Sequence, residues 1–208
     1  IIESAKSNDN LQVTRSIVDF YHVPTHSEYG LAEALHSVLT PPSSPFTRYE
    51  NEKRALERMR LSGEVSNVGE QRLRVLQAFT EDMTRLAQGK RIVLTLDTAE
   101  RLVYSVGQEP VTPILFADCW NWLVQSLPQW KNVTLVIAGR DSARPLVESL
   151  RRMVGEDFVS VVPVGSFSEA ESIAYFDEVA HTARKHSRLE IAQRVQSLDR
   201  DARLLAHR

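Results

Sequence analysis

Residues 92–102 read IVLTLDTAERL. The apolar run Ile92 to Leu96 predicts a buried strand over 91–97, and Asp97 and Glu100 follow at its end. Two further runs share this character. VTLVIAGR at 133–140 ends in Arg140, and FVSVVPV occupies 158–164. All three are apolar on both faces that a strand presents. Such strands belong in a parallel sheet covered by helices. The segments between them are long enough for helical crossovers, which parallel neighbours require.

Helical periodicity fills those connections. LAEALHSVL places Leu31, Ala34, Leu35, Val38 and Leu39 on one face. The three prolines of TPPSSP (40–45) make a loop. Residues 48–61 read as a charged amphipathic helix in which Glu50 and Arg54 form a favourable i,i+4 pair. A helix over 68–87 follows, with Leu73, Leu76, Phe79, Met83 and Leu86 as its stripe and Gly89 as its stop. Pro113 predicts a helix over 113–127, and Pro145 another that ends before Gly155. Ser168 and Glu171 match a capping box, and a last helix is expected over 188–206. Upstream, LQVTRSIVDFY contains a strand with Val13, Ile17, Val18 and Phe20 as its apolar positions. IIESAK at 1–6 reads as the end of a helix.

The totals narrow the function classes. The 208 residues are 42% hydrophobic, which suits one medium domain, or one domain with a small appendage, rather than a disordered chain. No apolar run approaches the roughly 20 residues of a membrane helix, and no membrane partner is expected. The net charge of −2 gives no global attraction to nucleic acid. Cys119 is the single cysteine, so an internal disulfide is impossible, and a reducing, cytoplasmic setting is the expectation.

The chemistry gathers at the strand ends. In open parallel sheets, ligands bind beyond the carboxyl ends of the strands. A carboxylate there, Asp97, suits Mg²⁺, which takes a few carboxylates together with water and phosphate oxygens. Asp97 capping the next helical turn is the plainer alternative. Glu100 is the candidate for orienting or deprotonating a water. Arg140 is the candidate for gripping a phosphate.

IVLTLDTAERL, VTLVIAGR and FVSVVPVGSFSEAESIAYF, preceded by VTRSIVDFYHVPTHSEYGLAEALHSVL, together resemble the nucleotide-binding core of the STAND branch of AAA-like P-loop ATPases. The resemblance spans about residues 11–180. It implies a five-stranded parallel sheet in a three-layer P-loop NTPase-like sandwich, with ATP and Mg²⁺ as cofactors. It also implies an ATP-controlled switch for signal transduction rather than a fast enzyme. On this resemblance residues 1–166 are the α/β core and 167–208 a C-terminal helical segment that starts a lid. Asp97 would be the metal aspartate, Glu100 the catalytic acid and Arg140 the nucleotide-sensing residue. The implied partners are ATP, further domains of the same chain or other proteins, with oligomerisation in the ATP state.

The chain departs from that pattern at defined places. The phosphate-cradling G-x-x-x-x-G-K-[ST] is absent. Thr98 stands where many relatives carry a second acid, and the later Gly-x-Pro element is missing. The expectation is therefore a fragment beginning just after the phosphate loop, with IIESAK as the tail of the helix that follows it. Two other readings stand beside the ATPase. One is a non-catalytic protein-interaction module on a degenerate ATPase fold. The other is a nucleic-acid-remodelling ATPase, which the charge disfavours.

The remaining chemistry-bearing residues have plainer readings. His22, His26 and His36 contain an H-x₃-H spacing, yet no cysteine joins them. They are read as surface histidines of turns. Cys119 and the tryptophans Trp120, Trp122 and Trp130 are read as packing. ERMR and RKHSR are read as solvated helix faces.

Overall fold

A computed structural model describes residues 11–39, 46–63, 67–105 and 114–183. The chain divides into two compact units between Ser160 and Val161. The strands of the first unit are β1 (Leu11–Val13), β2 (Val18–Asp19), β3 (Arg91–Asp97), β4 (Val103–Ser105), β5 (Ile114–Phe116) and β6 (Val133–Ile137). Its α-helices are α1 (Glu28–Leu39), α2 (Thr47–Leu61), α3 (Val68–Gly89), α4 (Asp118–Ser126) and α5 (Arg144–Val154). The second unit contributes α6 (Glu169–Ala183). The protein is thus mixed α/β, with a parallel sheet.

β3 is the centre of that sheet. It pairs in parallel with β1 and β2 along one edge and with β6 along the other. β1 and β2 are two pieces of one interrupted strand. Val13 lies opposite Val93 and Val18 opposite Leu96, so residues 14–17 bulge across from residues 94–95. The bulge is tied down on both sides. The Thr14 and Thr95 hydroxyls are 2.6 Å apart, and the Arg15 amide donates to the Val38 carbonyl of α1 at 3.0 Å.

One face of β3 carries Ile92, Leu94 and Leu96, all essentially buried in the core with α1, α3 and α4. The other face carries Val93, Thr95 and Asp97, which are half-buried. On β6 the alternation is plainer, with Thr134 and Val136 exposed. The expectation of strands buried on both faces is corrected here: only one face is fully covered among the described residues.

The helical layer is organised around Phe79 of α3. Its ring lies 5.3 Å from Phe46, 5.4 Å from Tyr49, 5.7 Å from Trp122 and 6.3 Å from Trp130. Aromatic pairs of this kind contribute about 0.5–1.5 kcal/mol each beyond area burial. Asp82, also on α3 and fully buried, accepts the Tyr49 amide at 2.9 Å and the Arg85 guanidinium at 2.9 Å. The preceding residue, Phe46, offers no side-chain cap, so a carboxylate from the neighbouring helix satisfies an open amide in the first turn of α2. The Tyr49 hydroxyl and the Trp130 indole N–H are buried with no hydrogen-bond partner among the described residues.

Several expectations change. FVSVVPV forms no strand: Glu156–Phe158 is a 3₁₀ turn, Phe158 is exposed, and Val161, Val162 and Val164 of the second unit are exposed as well. Pro163 removes a ladder donor near the end of that run. The helix expected from Pro113 begins at Asp118, because Ile114–Phe116 instead pairs antiparallel with Val103–Ser105. Leu73 is exposed, and the buried stripe of α3 runs through Val75, Leu76, Phe79, Met83 and Ala87. His36 lies on α1 against Phe46 and Tyr49, not in a surface turn, and burial lowers its pKa.

In the second unit the capping box is present. The Ser168 amide and hydroxyl donate to Glu171 Oε2 at 2.8 and 2.7 Å, and the Ser168 hydroxyl accepts the Glu171 amide at 3.3 Å. Phe167 stacks on Tyr175 at 5.7 Å. The expected helix over 188–206, the loop 40–45 and the segment 1–6 lie outside the described residues. No described helix is long and apolar enough to cross a membrane.

Two measurements check this core. In urea unfolding, Phe79→Ala is expected to cost about 3–5 kcal/mol. Tyr49→Phe is expected to be neutral or mildly stabilising, because its hydroxyl is buried without a partner; a loss like that of Phe79→Ala would show the hydroxyl to be bonded after all. Cys119 is buried and desolvation pushes its thiol up to about 12. It is expected to resist alkylation at pH 8 in the folded protein and to react once urea unfolds the chain.

Candidate functional site

Three parallel strand ends meet at the carboxyl edge of the sheet. Asp19 ends β2, and Asp97 ends β3 directly opposite it in register. The chain leaves β6 through Ala138, Gly139 and Arg140, and the Ala138 amide donates to the Leu96 carbonyl at 2.9 Å.

Thr98 breaks β3 at this point. Its φ of 59° and ψ of 36° put it in the left-handed region, where a β-branched side chain is strained. Strain of this kind costs on the order of 1–3 kcal/mol and persists only when surrounding contacts fix it. Those contacts are visible. The Thr98 amide donates to Asp97 Oδ1 at 2.7 Å, and its hydroxyl donates to Asp19 Oδ1 at 2.7 Å. The same Asp19 oxygen accepts the Tyr21 amide at 2.8 Å. The Phe20 amide donates to the Asp97 carbonyl at 3.1 Å. The Tyr21 amide first, and the Thr98 hydroxyl second, hold the Asp19 carboxyl below the usual carboxylate range.

After this kink, Ala99–Leu102 forms a 3₁₀ turn that carries Glu100 inward, its side chain 15% exposed. Glu100 Oε2 accepts the Arg140 amide at 3.2 Å, and Oε1 lies 3.5 Å from the Arg140 guanidinium. The guanidinium side of this pair is open, 66% exposed. Gly139 permits the approach. A Cβ there would stand 3.3 Å from Glu100 Oε2, 3.3 Å from the Ala99 Cβ and 3.2 Å from the Ala143 Cβ.

The fold therefore brings Glu100 and Arg140 together and sets Asp97 at the head of the same turn. Asp19 and Gly139 are the additions that sequence reading missed, together with the bond that Thr98 makes to Asp19. A signal for Asp19 was present, since IVD at 17–19 and TLD at 95–97 both end an apolar stretch in Asp. The Oδ2 atoms of Asp19 and Asp97 accept no hydrogen bond among the described residues. Asp97 could offer that second oxygen to a hydrated cation. Among the described residues no group of three or more His, Cys, Asp or Glu could hold a metal ion.

His26 serves the fold. His26 Nε2 donates to the Phe20 carbonyl at 2.8 Å, since a carbonyl only accepts. Its Nδ1 lies 2.6 Å from the Tyr104 hydroxyl, within hydrogen-bonding distance. His26 thereby joins the end of β2 to the β4–β5 hairpin. His22 is exposed.

Gly139→Ala tests the close approach. The added methyl makes Glu100 Oε2, Ala99 and Ala143 give by a few tenths of an ångström, and urea unfolding of the variant is expected to show a loss of stability. A variant as stable as wild type would mean that the strand end yields and that the Glu100 contact does not depend on Gly139. Comparison of the chain with protein-family models, with curated proteins and with solved structures finds no match.

Proposed function

We propose that this chain is the nucleotide-binding core of a STAND or AAA-like ATPase that works as an ATP- and Mg²⁺-dependent switch. One observation carries the reading. A carboxylate, Asp97, stands at the end of the central parallel strand, between a strand ending in Asp19 and one leading to Arg140. Ligands of open parallel sheets lie at that edge. The reading sets the described sheet within the larger P-loop-type sandwich that the resemblance implies.

The residues divide the work by chemistry. Asp97 would hold the hydrated Mg²⁺ through its free oxygen. Arg140, with an exposed guanidinium, would pair with a phosphate. Glu100 orients the start of the Arg140 segment through the backbone amide. Thr98 is no base, and both oxygens of Glu100 face Arg140. Proton abstraction from water is therefore poorly served, which suits a slow switch. When bound, the nucleotide supplies a chain of negative charge that shortens on hydrolysis. The same two features favour the second reading, an interaction module that has lost nucleotide chemistry.

Calorimetry separates them. The sample is the gene product read from its own start codon, titrated with ATP in the presence and absence of Mg²⁺. Binding is expected only with Mg²⁺, weakened about tenfold or more in Asp97→Asn, a difference of about 1.4 kcal/mol. A folded wild-type protein that binds no Mg²⁺–ATP overturns the ATPase reading and leaves the interaction module.

A further inference from the structure

We propose that Asp19 is the positioning residue of this site, acting on Asp97 through Thr98; the inference rests on the nucleotide-switch reading for its purpose. Thr98 has two hydrogen-bond donors, and it gives one to each of two carboxylates on adjacent strands. Its amide goes to Asp97 at 2.7 Å and its hydroxyl to Asp19 at 2.7 Å. Asp19 and Asp97 are direct partners in the parallel register, so the bridge spans the shortest path between the two strand ends. Each carboxylate is engaged at Oδ1, and each keeps Oδ2 free among the described residues. Thr98 therefore orients both groups while holding two like charges at a fixed spacing.

Of these two bonds, the one to Asp97 is local and cannot choose a backbone conformation unaided. The bond to Asp19 spans 79 positions in sequence. It ties the left-handed residue to a strand that is separately anchored, through Tyr21 to Asp19 and through Phe20 to Asp97. Without Asp19 the Thr98 hydroxyl has no partner that draws it across the sheet edge. The backbone is then free to leave a conformation that a β-branched residue disfavours. Rotation there turns the Asp97 carboxylate and redirects the Ala99–Leu102 turn that carries Glu100.

The test uses two readouts. The first is exchange of the Thr98 amide proton, followed by NMR in the wild type, Asp19→Ala, Asp19→Asn and Thr98→Val. Asp19→Ala and Thr98→Val are expected to speed Thr98 exchange at least tenfold while amides of α3 keep their protection. Asp19→Asn, whose side-chain carbonyl can accept the same two bonds, is expected to restore most of it. The second readout is Mg²⁺–ATP binding by calorimetry, expected to fall at least tenfold in Asp19→Ala and to recover in Asp19→Asn. Unchanged Thr98 exchange in Asp19→Ala, or exchange that Asn fails to restore, overturns the inference. So does wild-type affinity in Asp19→Ala. Absent binding in the wild type instead overturns the nucleotide reading, and the exchange data still decide whether Asp19 holds the turn. Asp19 is at the surface edge of the sheet, and Asp19→Asn provides a folded reference if the alanine variant proves unstable.

Discussion

Every described strand of the parallel sheet is paired to Arg91–Asp97, and that shared dependence fixes the rest of the first unit. β3 uses both of its edges, one for β1 and β2 and one for β6. A slip of one residue would turn Ile92, Leu94 and Leu96 out of the core and break two ladders at once. Burial of those three side chains contributes about 1.5–3 kcal/mol each, which holds the register. Asp97 inherits that rigidity. It stands at the end of the most constrained strand, and its neighbours are placed by hydrogen bonds rather than by packing.

The covered face and the open edge obey different physics. Under the sheet, Phe79 gathers Phe46, Tyr49, Trp122 and Trp130 into an aromatic cluster, and a buried Asp82 closes the start of α2. That layer is fixed by volume and by satisfaction of backbone amides. At the carboxyl edge there is little volume to fill. Thr98, Asp19, Glu100 and Gly139 set the geometry through short polar contacts and through one missing Cβ.

This division also explains what could be read from sequence. β3 was legible because a run of apolar residues with a charged end has few alternatives. α1, α2 and α3 were legible from periodicity, α5 from Pro145 and Gly155, and the start of α6 from its Ser168–Glu171 pair. The β4–β5 hairpin was not, because strands of three residues carry no period and Pro113 mimics a helix start. Leu73 misled because an apolar residue at helical spacing need not face the core. FVSVVPV misled because apolar composition does not supply a ladder partner, and Pro163 withholds a donor. At the site, Asp97, Glu100 and Arg140 were readable from their positions after strands. The Asp19–Thr98 bond was not, since it joins residues 79 positions apart and depends on the register of two strands.

The Glu100–Arg140 contact has two parts of unequal strength, and the difference bears on how a switch would operate here. The guanidinium lies 3.5 Å from the carboxylate and is 66% exposed, so this half resembles surface ion pairs worth about 0–1 kcal/mol. The other half is the backbone amide of Arg140, next to Gly139, donating to the same carboxylate at 3.2 Å. An anion at this edge would compete with Glu100 for the guanidinium and meet little resistance, while the amide bond kept the Arg140 segment in place. Arg140 would then move between a carboxylate and a phosphate without displacing β6. Under the nucleotide-switch reading, that exchange converts the presence of a phosphate into a local change of charge around Glu100, on a scaffold that β3 holds still.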